Sequence, residues 1–146
     1  MYQNIKRRLP LIGIAVIVAL LILLFVFSND TYASDEIRSV SDAAAYLSDF
    51  GWEIEPQPVS VRQVEIPAKF SEIYEEYNDL QKSQGFDDLS QYRSMTATVY
   101  TFRILNHPTT ANVFANVLVI DGTVIAGDVV SYAIDGFLTG LDKVTD

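Results

Sequence analysis

The longest apolar stretch of the chain lies near its N-terminus. Residues 11–27 read LIGIAVIVALLILLFVF without a polar side chain, and Leu9 and Pro10 extend the stretch to nineteen residues. A helix of that length spans roughly 28 Å at about 1.5 Å per residue, close to the ~30 Å of a bilayer core. The pattern predicts a transmembrane helix over residues 9–27, with the lipid bilayer as its partner.

The charges that flank this stretch predict its orientation. Residues 6–8 are Lys-Arg-Arg, whereas acidic residues follow the stretch. Because basic flanks stay in the cytoplasm, we predict a cytoplasmic stub at 1–8, a tether at 28–34 and an extracellular domain at 35–146, held at the cell membrane by a single span. The alternative is a signal peptide cleaved near Ala33, which would release a secreted binding module.

Two segments of the predicted domain show the spacing of an amphipathic helix. The first covers residues 35–50, and the second follows Pro67; they end at Gly51 and Gly85, where glycine is typical of a helix end. The apolar positions are Ile37, Val40, Ala44 and Leu47 in the first helix and Phe70, Ile73, Tyr74, Tyr77 and Leu80 in the second. Each helix therefore has one apolar stripe to bury.

The other apolar segments alternate with polar residues as strands do, and Asp121-Gly122 indicates a hairpin between the last two of them. The extended segments are residues 52–55, 59–66, 96–105, 112–120 and 123–130. We predict an α+β domain in the order α-β-α-β-β-β. Its two helices pack on one face of an antiparallel sheet of about four or five strands, and residues 135–141 form a short helical cap.

Both faces of the predicted hairpin are apolar. Counting outward from the turn places Phe114, Leu118, Ile120, Ile125 and Val129 on one face. The other face is rich in valine, and it is a candidate surface for another protein or a second copy of the chain because it is costly to leave exposed to water. The candidate residues are Val113, Val117, Val119, Val124 and Val130. The alternative is that the segment before Pro67 or residues 135–146 cover this face.

Composition excludes several classes of function. The chain has no cysteine and one histidine, which rules out thiolate and multi-histidine metal sites, and we predict no metal and no cofactor. Ten Lys or Arg stand against nineteen Asp or Glu, and three of these bases and one acid precede Ser34, so the remainder has a net charge of −11. Such an acidic chain is not expected to bind nucleic acid.

Acidic residues supply most of the candidate chemistry. Four of them form an acidic face on the second predicted helix, which we interpret as solvated: Glu72, Glu75, Glu76 and Asp79. Like charges at this spacing repel by a few tenths of a kcal/mol, so a basic partner or a cation would relieve them.

Asp128 differs from the other acids because it lies within an apolar strand, where a carboxylate needs a partner. We predict a bulge at Gly127 and a structural hydrogen bond to Asp128. The remaining candidates are turn residues, of which two could act as the general acid and base of a small acid-dependent hydrolase: Asp87, Asp88, Asp121 and Asp135. Turns favour aspartate in any case, and His107 has no nucleophile motif around it. We therefore predict no catalytic residue and a non-enzymatic interaction or sensor module.

A set of scattered residues in the C-terminal half has a common pattern. These are Ile66-Pro67, Phe70, Tyr74, Tyr77-Asn78, Gln84-Gly85-Phe86-Asp87, Leu89, Tyr92, Val119, Ile125, Gly127-Asp128-Val129, Ser131 and Gly136-Phe137. Over residues 66–141 the chain resembles an uncharacterised bacterial family, the domain of unknown function 4830. It departs from that pattern at Asp88, an extra residue where the family has leucine directly after the Phe-Asp pair. The resemblance implies a short membrane-anchored protein of a Gram-positive bacterium, and it implies no activity, cofactor or catalytic residue.

Overall fold

The structure is a computed structural model that describes residues 36–108 and 112–142. The predicted stub, transmembrane helix and tether, residues 1–34, lie outside this described part. Within it, no helix is both long enough and apolar enough to cross a membrane.

The first helix, α1, covers Val40–Asp49 and begins later than the sequence predicts. Ser39 caps it, with its side chain accepting a hydrogen bond from the backbone N–H of Asp42 at 3.2 Å. The residues before the cap are extended because the N–H of Ile37 donates to the carbonyl of Gly122 at 2.7 Å. This contact with the hairpin turn keeps the segment out of the helix.

The second helix, α2, covers Glu72–Ser83, and Ser71 caps it by accepting a hydrogen bond from the N–H of Tyr74 at 3.3 Å. It ends before Gly85, whose φ of +91° matches the predicted glycine ending. The buried side differs from the predicted stripe. Ile73 is 79% exposed, while the amide side chains of Asn78 and Gln81 are buried.

The described residues form one five-stranded antiparallel sheet in which the strands neighbour one another in chain order. A single turn of 3₁₀-helix, Leu89–Tyr92, lies between α2 and the second strand. The strands are β1 (Ser60–Glu65), β2 (Thr96–Ile104), β3 (Val113–Ile120), β4 (Thr123–Ser131) and β5 (Leu138–Thr139).

Two predicted segments take other forms. The segment at 52–55 makes only an isolated bridge, between Ile54 and Ile104. The predicted cap at 135–141 is not helical, because Leu138 and Thr139 pair with Val130 and Val129 as β5.

The helices pack on opposite faces of the sheet, so the prediction of both helices on one face is wrong. Leu47 of α1 belongs to a core cluster with Phe102 and Val117, whereas Tyr77 of α2 packs against a second cluster that contains Leu118. We call these the α1 face and the α2 face. The central strands are apolar on both sides, and one helix covering each side is the arrangement that buries both.

The valine-rich surface is inside the domain. Val113, Val117, Val119 and Val130 are each at most 8% exposed, and Val124 is partly buried. The first three and Val124 belong to the α1-face cluster, which Ile37, Leu47, Trp52 and Leu141 complete. Segments before Pro67 and at the C-terminal end therefore cover this face, as the alternative had it, and no partner surface is proposed there.

A bulge in β4 explains why the predicted faces of the hairpin differ from the observed ones. Val119 pairs with Val124 and Leu118 with Ala126, which leaves Ile125 as the extra residue. The bulge therefore lies at Ile125 rather than at Gly127. It shifts the alternation of β4 by one residue.

Candidate functional site

A row of three polar side chains crosses the apolar α2 face. Thr101 on β2 lies opposite Asn116 on β3, and Asn116 lies opposite Asp128 on β4. The hydroxyl of Thr101 and Oδ1 of Asn116 are 2.7 Å apart, and Nδ2 of Asn116 donates to Oδ1 of Asp128 at 2.7 Å. All three side chains are buried. We call Thr101, Asn116 and Asp128 the polar row.

The second helix completes the environment of the Asp128 carboxylate. The phenolic oxygen of Tyr77 donates to Oδ2 of Asp128 at 2.9 Å, and Asp128 is 4% exposed. Each carboxylate oxygen thus accepts one hydrogen bond. The predicted structural hydrogen bond to Asp128 is confirmed, and its donors are Tyr77 and Asn116.

Burial has the largest effect on the pKa values of Asp128 and Tyr77. It raises the pKa of the Asp128 carboxyl above its ordinary value, while the hydrogen bonds from Asn116 and Tyr77 act in the opposite direction. Burial also raises the pKa of the Tyr77 phenol, and the neighbouring Asp128 adds to the increase. Tyr77 therefore remains protonated and serves as a donor. None of the ion pairs within the described residues includes Asp128.

A cavity of about 260 Å³ opens beside this carboxylate and communicates with solvent. Tyr77, Asn116 and Asp128 form its polar wall. The other lining residues come from β1, the loop after it, α2 and the sheet: Arg62, Val64, Glu65, Pro67, Tyr74, Val99 and Leu118.

Two carboxylate residues, Glu65 and Asp128, contribute to the lining of the cavity, and a hydrolase would need two such groups close together. Val64 lies opposite Ala97 on the α2 face, so alternation along β1 assigns the side chain of the next residue, Glu65, to the opposite face. Asp128 is thus the carboxylate side chain that faces the cavity, with Arg62 as the basic residue in its wall.

Gln81 of α2 and Gln84, which follows the helix as its C-cap, hold the strand next to Asp128. Oε1 of Gln81 accepts from the N–H of Gly127 at 2.9 Å, and Nε2 of Gln84 donates to the Gly127 carbonyl at 3.0 Å. Oε1 of Gln84 also accepts from the N–H of Leu141 at 2.6 Å. The backbone of β4 is therefore anchored to α2 one residue before Asp128.

A larger groove of about 670 Å³ also lies along α2 and shares Tyr74 and Tyr77 with the Asp128 cavity. Ile73, Tyr74, Leu80 and Leu138 supply most of its apolar lining. The charged residue in its lining, Glu76, is exposed rather than buried as Asp128 is. The Asp128 cavity is therefore the stronger candidate site.

The residues of the acidic face and the predicted turn acids do not line the Asp128 cavity. Glu72, Glu75, Glu76 and Asp79 are exposed, and Oδ1 of Asp79 pairs with Nζ of Lys82 at 2.7 Å. No group of three acidic or histidine side chains in the described part could hold a metal ion.

Among the predicted turn acids, Asp88 has a clear structural role. Its carboxylate accepts hydrogen bonds from the N–H of Ser90 at 2.8 Å and from Nδ2 of Asn78 at 3.0 Å. These bonds, Ser90 first, hold the pKa of Asp88 at about 2. His107 lies elsewhere, with its ring 5.9 Å from that of Trp52 and 5.3 Å from that of Phe137.

Sequence reasoning identified Asp128 but not its partners. The spacing assigns Tyr77 to an apolar stripe, and periodicity gives no role to Thr101 or Asn116. Asn116 had a usable signal, since it is the polar residue within the apolar segment VFANVLVI. Its pairing with Asp128 depends on the bulge at Ile125, which reverses the alternation that a regular hairpin would have.

One comparison with known proteins found a match, and it covers the region of the chain that contains this site. A family model described as a domain of unknown function (DUF4830) matches residues 46–129. The match begins earlier and ends earlier than the predicted 66–141, and it includes the whole polar row and Tyr77. No curated protein and no solved structure matches the chain. More than half of the sequence is covered, and the chain therefore belongs to the DUF4830 family of domains of unknown function.

Proposed function

We propose that this chain is a membrane-anchored, non-enzymatic binding module whose small ligand occupies the cavity beside Asp128. The observation that carries the proposal is a buried carboxylate, hydrogen-bonded by Tyr77 and Asn116, in the wall of an open cavity of about 260 Å³. Ligand sites are typically concave and mostly apolar, with a few fixed polar groups.

The rigidity of the site favours binding over catalysis. The polar row joins three neighbouring strands, and Tyr77 holds the carboxylate from the helix side. A general acid–base pair would need a second group that exchanges protons near the first. Alternation along β1 directs Glu65 away from Asp128, and the raised pKa of Tyr77 keeps its phenol protonated as a hydrogen-bond donor. A preorganised single carboxylate suits recognition of a ligand group.

The membrane anchor rests on the sequence. The apolar residues 9–27 and the basic residues 6–8 support a single span with the domain on the outer side of the cell membrane. In that arrangement the cavity faces extracytoplasmic solutes, and the chain serves as a sensor or as an interaction module.

The cavity proposal is tested by blocking the cavity and then screening ligands. The full-length chain in detergent would be screened by thermal unfolding against neutral, anionic and cationic molecules of up to about ten non-hydrogen atoms. We expect Val64→Trp, on the cavity side of β1, to abolish any stabilisation because the indole fills the site. The matched control is Val61→Trp, since Val61 is 49% exposed and points to the opposite face of the same strand.

Ligands that stabilise the unmodified chain and the Val61→Trp variant but not Val64→Trp would support the proposal. If no molecule distinguishes the two variants, the cavity is not a binding site.

A further inference from the structure

We infer that the cavity takes a small aliphatic primary ammonium ion, whose charged group binds Asp128 and whose hydrocarbon part lies against the aromatic and aliphatic wall. This inference rests on the proposed function, because it names the class of ligand for the same cavity.

The Asp128 carboxylate has acceptor positions left for further hydrogen-bond donors. An ionised carboxyl group accepts about four hydrogen bonds, and Asp128 receives two, one on each oxygen. An ammonium group has three donors and no acceptor. Within the described residues no lysine or arginine nitrogen lies within ion-pair distance of Asp128, so its charge remains available to a ligand.

The rest of the wall suits the body of such a ligand. The rings of Tyr74 and Tyr77, with centroids 5.9 Å apart, both line the cavity. Tyrosine faces attract cations, while Val64, Val99 and Leu118 offer aliphatic contact to methylene groups. A volume of about 260 Å³ equals roughly eight or nine water molecules at about 30 Å³ each, which accommodates an amine of about four carbons.

The basic residue of the wall, Arg62, comes from a strand that is not adjacent to the strand of Asp128. Arg62 is on β1, and three strand spacings of about 4.8 Å place the β1 backbone roughly 14 Å from that of β4. Arg62 is exposed, and none of the ion pairs within the described residues joins it to Asp128. The residues from Ser34 onward carry a net charge of −11, which raises the local concentration of cations.

The test is an NMR titration of the full-length chain in detergent micelles with n-butylammonium chloride at constant ionic strength. We expect saturable shifts at the backbone amides of Gly127 and Asp128. Neither n-butanol nor sodium butyrate should reach the same occupancy, because the first lacks the charge and the second reverses it. Asp128→Asn keeps the side-chain shape, and we expect it to weaken binding by roughly tenfold or more, as loss of a charge-assisted contact does.

The control is Asp121→Asn, which makes the same change in net charge at an exposed turn and should leave the affinity unchanged. Thermal unfolding would check that both variants fold. If Asp128→Asn fails to fold, Val64→Trp against Val61→Trp decides whether n-butylammonium occupies the cavity. Equal affinity of Asp128→Asn and the unmodified chain would overturn the inference, as would shifts that Val64→Trp does not abolish. Binding of butanol or butyrate in the cavity without binding of the amine would overturn the ligand class and leave the proposed function standing.

Discussion

At the residue scale, Asp128 and Asp88 differ because of what surrounds their carboxyl groups. Asp128 is 4% exposed, and burial raises the pKa of its carboxyl. Asp88 caps the 3₁₀-helix, and its pKa is lowered because Ser90 and Asn78 donate to the charged form. As the pH falls, the contribution of Asp88 to the free energy of unfolding therefore decreases, whereas that of Asp128 increases.

Asp88 supplies a pH prediction with a definite sign. Its folded pKa of about 2 lies below the ordinary value of 3.8, so its stabilising contribution is complete above pH 3.8 and is lost as the pH falls towards 2. We expect Asp88→Asn, which keeps a side-chain acceptor for the cap, to flatten the loss of unfolding free energy over that range. Urea unfolding of the full-length chain between pH 5 and pH 2 would measure it.

Asp121→Asn is the charge-matched control for that series, because Asp121 is exposed at the hairpin turn. If the unfolding free energies of Asp88→Asn and the unmodified chain fall in parallel with pH, the hydrogen bonds to Asp88 do not favour its charged form.

At the element scale, the end of α2, the edge of β4 and the residues after β5 meet at Gly127. A Cβ atom at this position would lie 2.9 Å from Cγ of Leu141 and 3.3 Å from the backbone oxygen of Asn116. Leu141 is completely buried, and the N–H that it donates is held by Gln84. The C-terminal segment therefore closes over a strand that has no room for a side chain.

We expect Gly127→Ala to lower the free energy of unfolding by about 1–3 kcal/mol, the usual cost of overpacking a core. Chemical denaturation would measure the change. In a Leu141→Ala background the added methyl group has space, and the further loss should be much smaller. An equal loss in both backgrounds would show that contact with Leu141 is not the cause.

Sequence patterns predicted most elements but not how they are layered. The hairpin at Asp121-Gly122 and the ending of α2 at Gly85 follow from local chemistry, and the structure has both. The face that each helix covers could not be predicted, because β3 and β4 are apolar on both sides and accept a helix on either. Gly127 indicates a bulge in this strand, but the extra residue is Ile125, two positions earlier, where no glycine marks it.

Prediction of the candidate site was limited because its residues are brought together by tertiary packing. Asp128 was conspicuous as a charge in an apolar strand, so its need for a donor followed from elementary energetics. The donors come from β3 and α2, and their approach depends on the bulge and on which helix covers which face. Pairings of that kind are set by tertiary packing rather than by periodicity.

At the scale of the whole molecule, the sequence makes a prediction about topology. We expect protease added to spheroplasts of an expression host to digest the domain, because residues 6–8 retain the N-terminus in the cytoplasm. Replacing Lys6, Arg7 and Arg8 by glutamate should reduce or invert this accessibility. Immunoblotting with antibodies against the domain would follow the fragments.

Release of the domain into the medium would instead indicate cleavage near Ala33. Protection of the domain in the unmodified chain would show that the predicted orientation is wrong.

The polar row also has a consequence for how the chain folds. Apart from Asn116 and Asp128, the interiors of the segments VFANVLVI and TVIAGDVVS are so apolar that a slip of two residues would still match hydrophobic faces. Such a slip would move Asp128 from Asn116 to Phe114 or Leu118, neither of which has a donor side chain, and a buried carboxylate without a partner is strongly unfavourable. The hydrogen bond between Asn116 and Asp128 thus specifies the register of the hairpin. It favours the native alignment over slipped alignments that bury hydrocarbon almost as well.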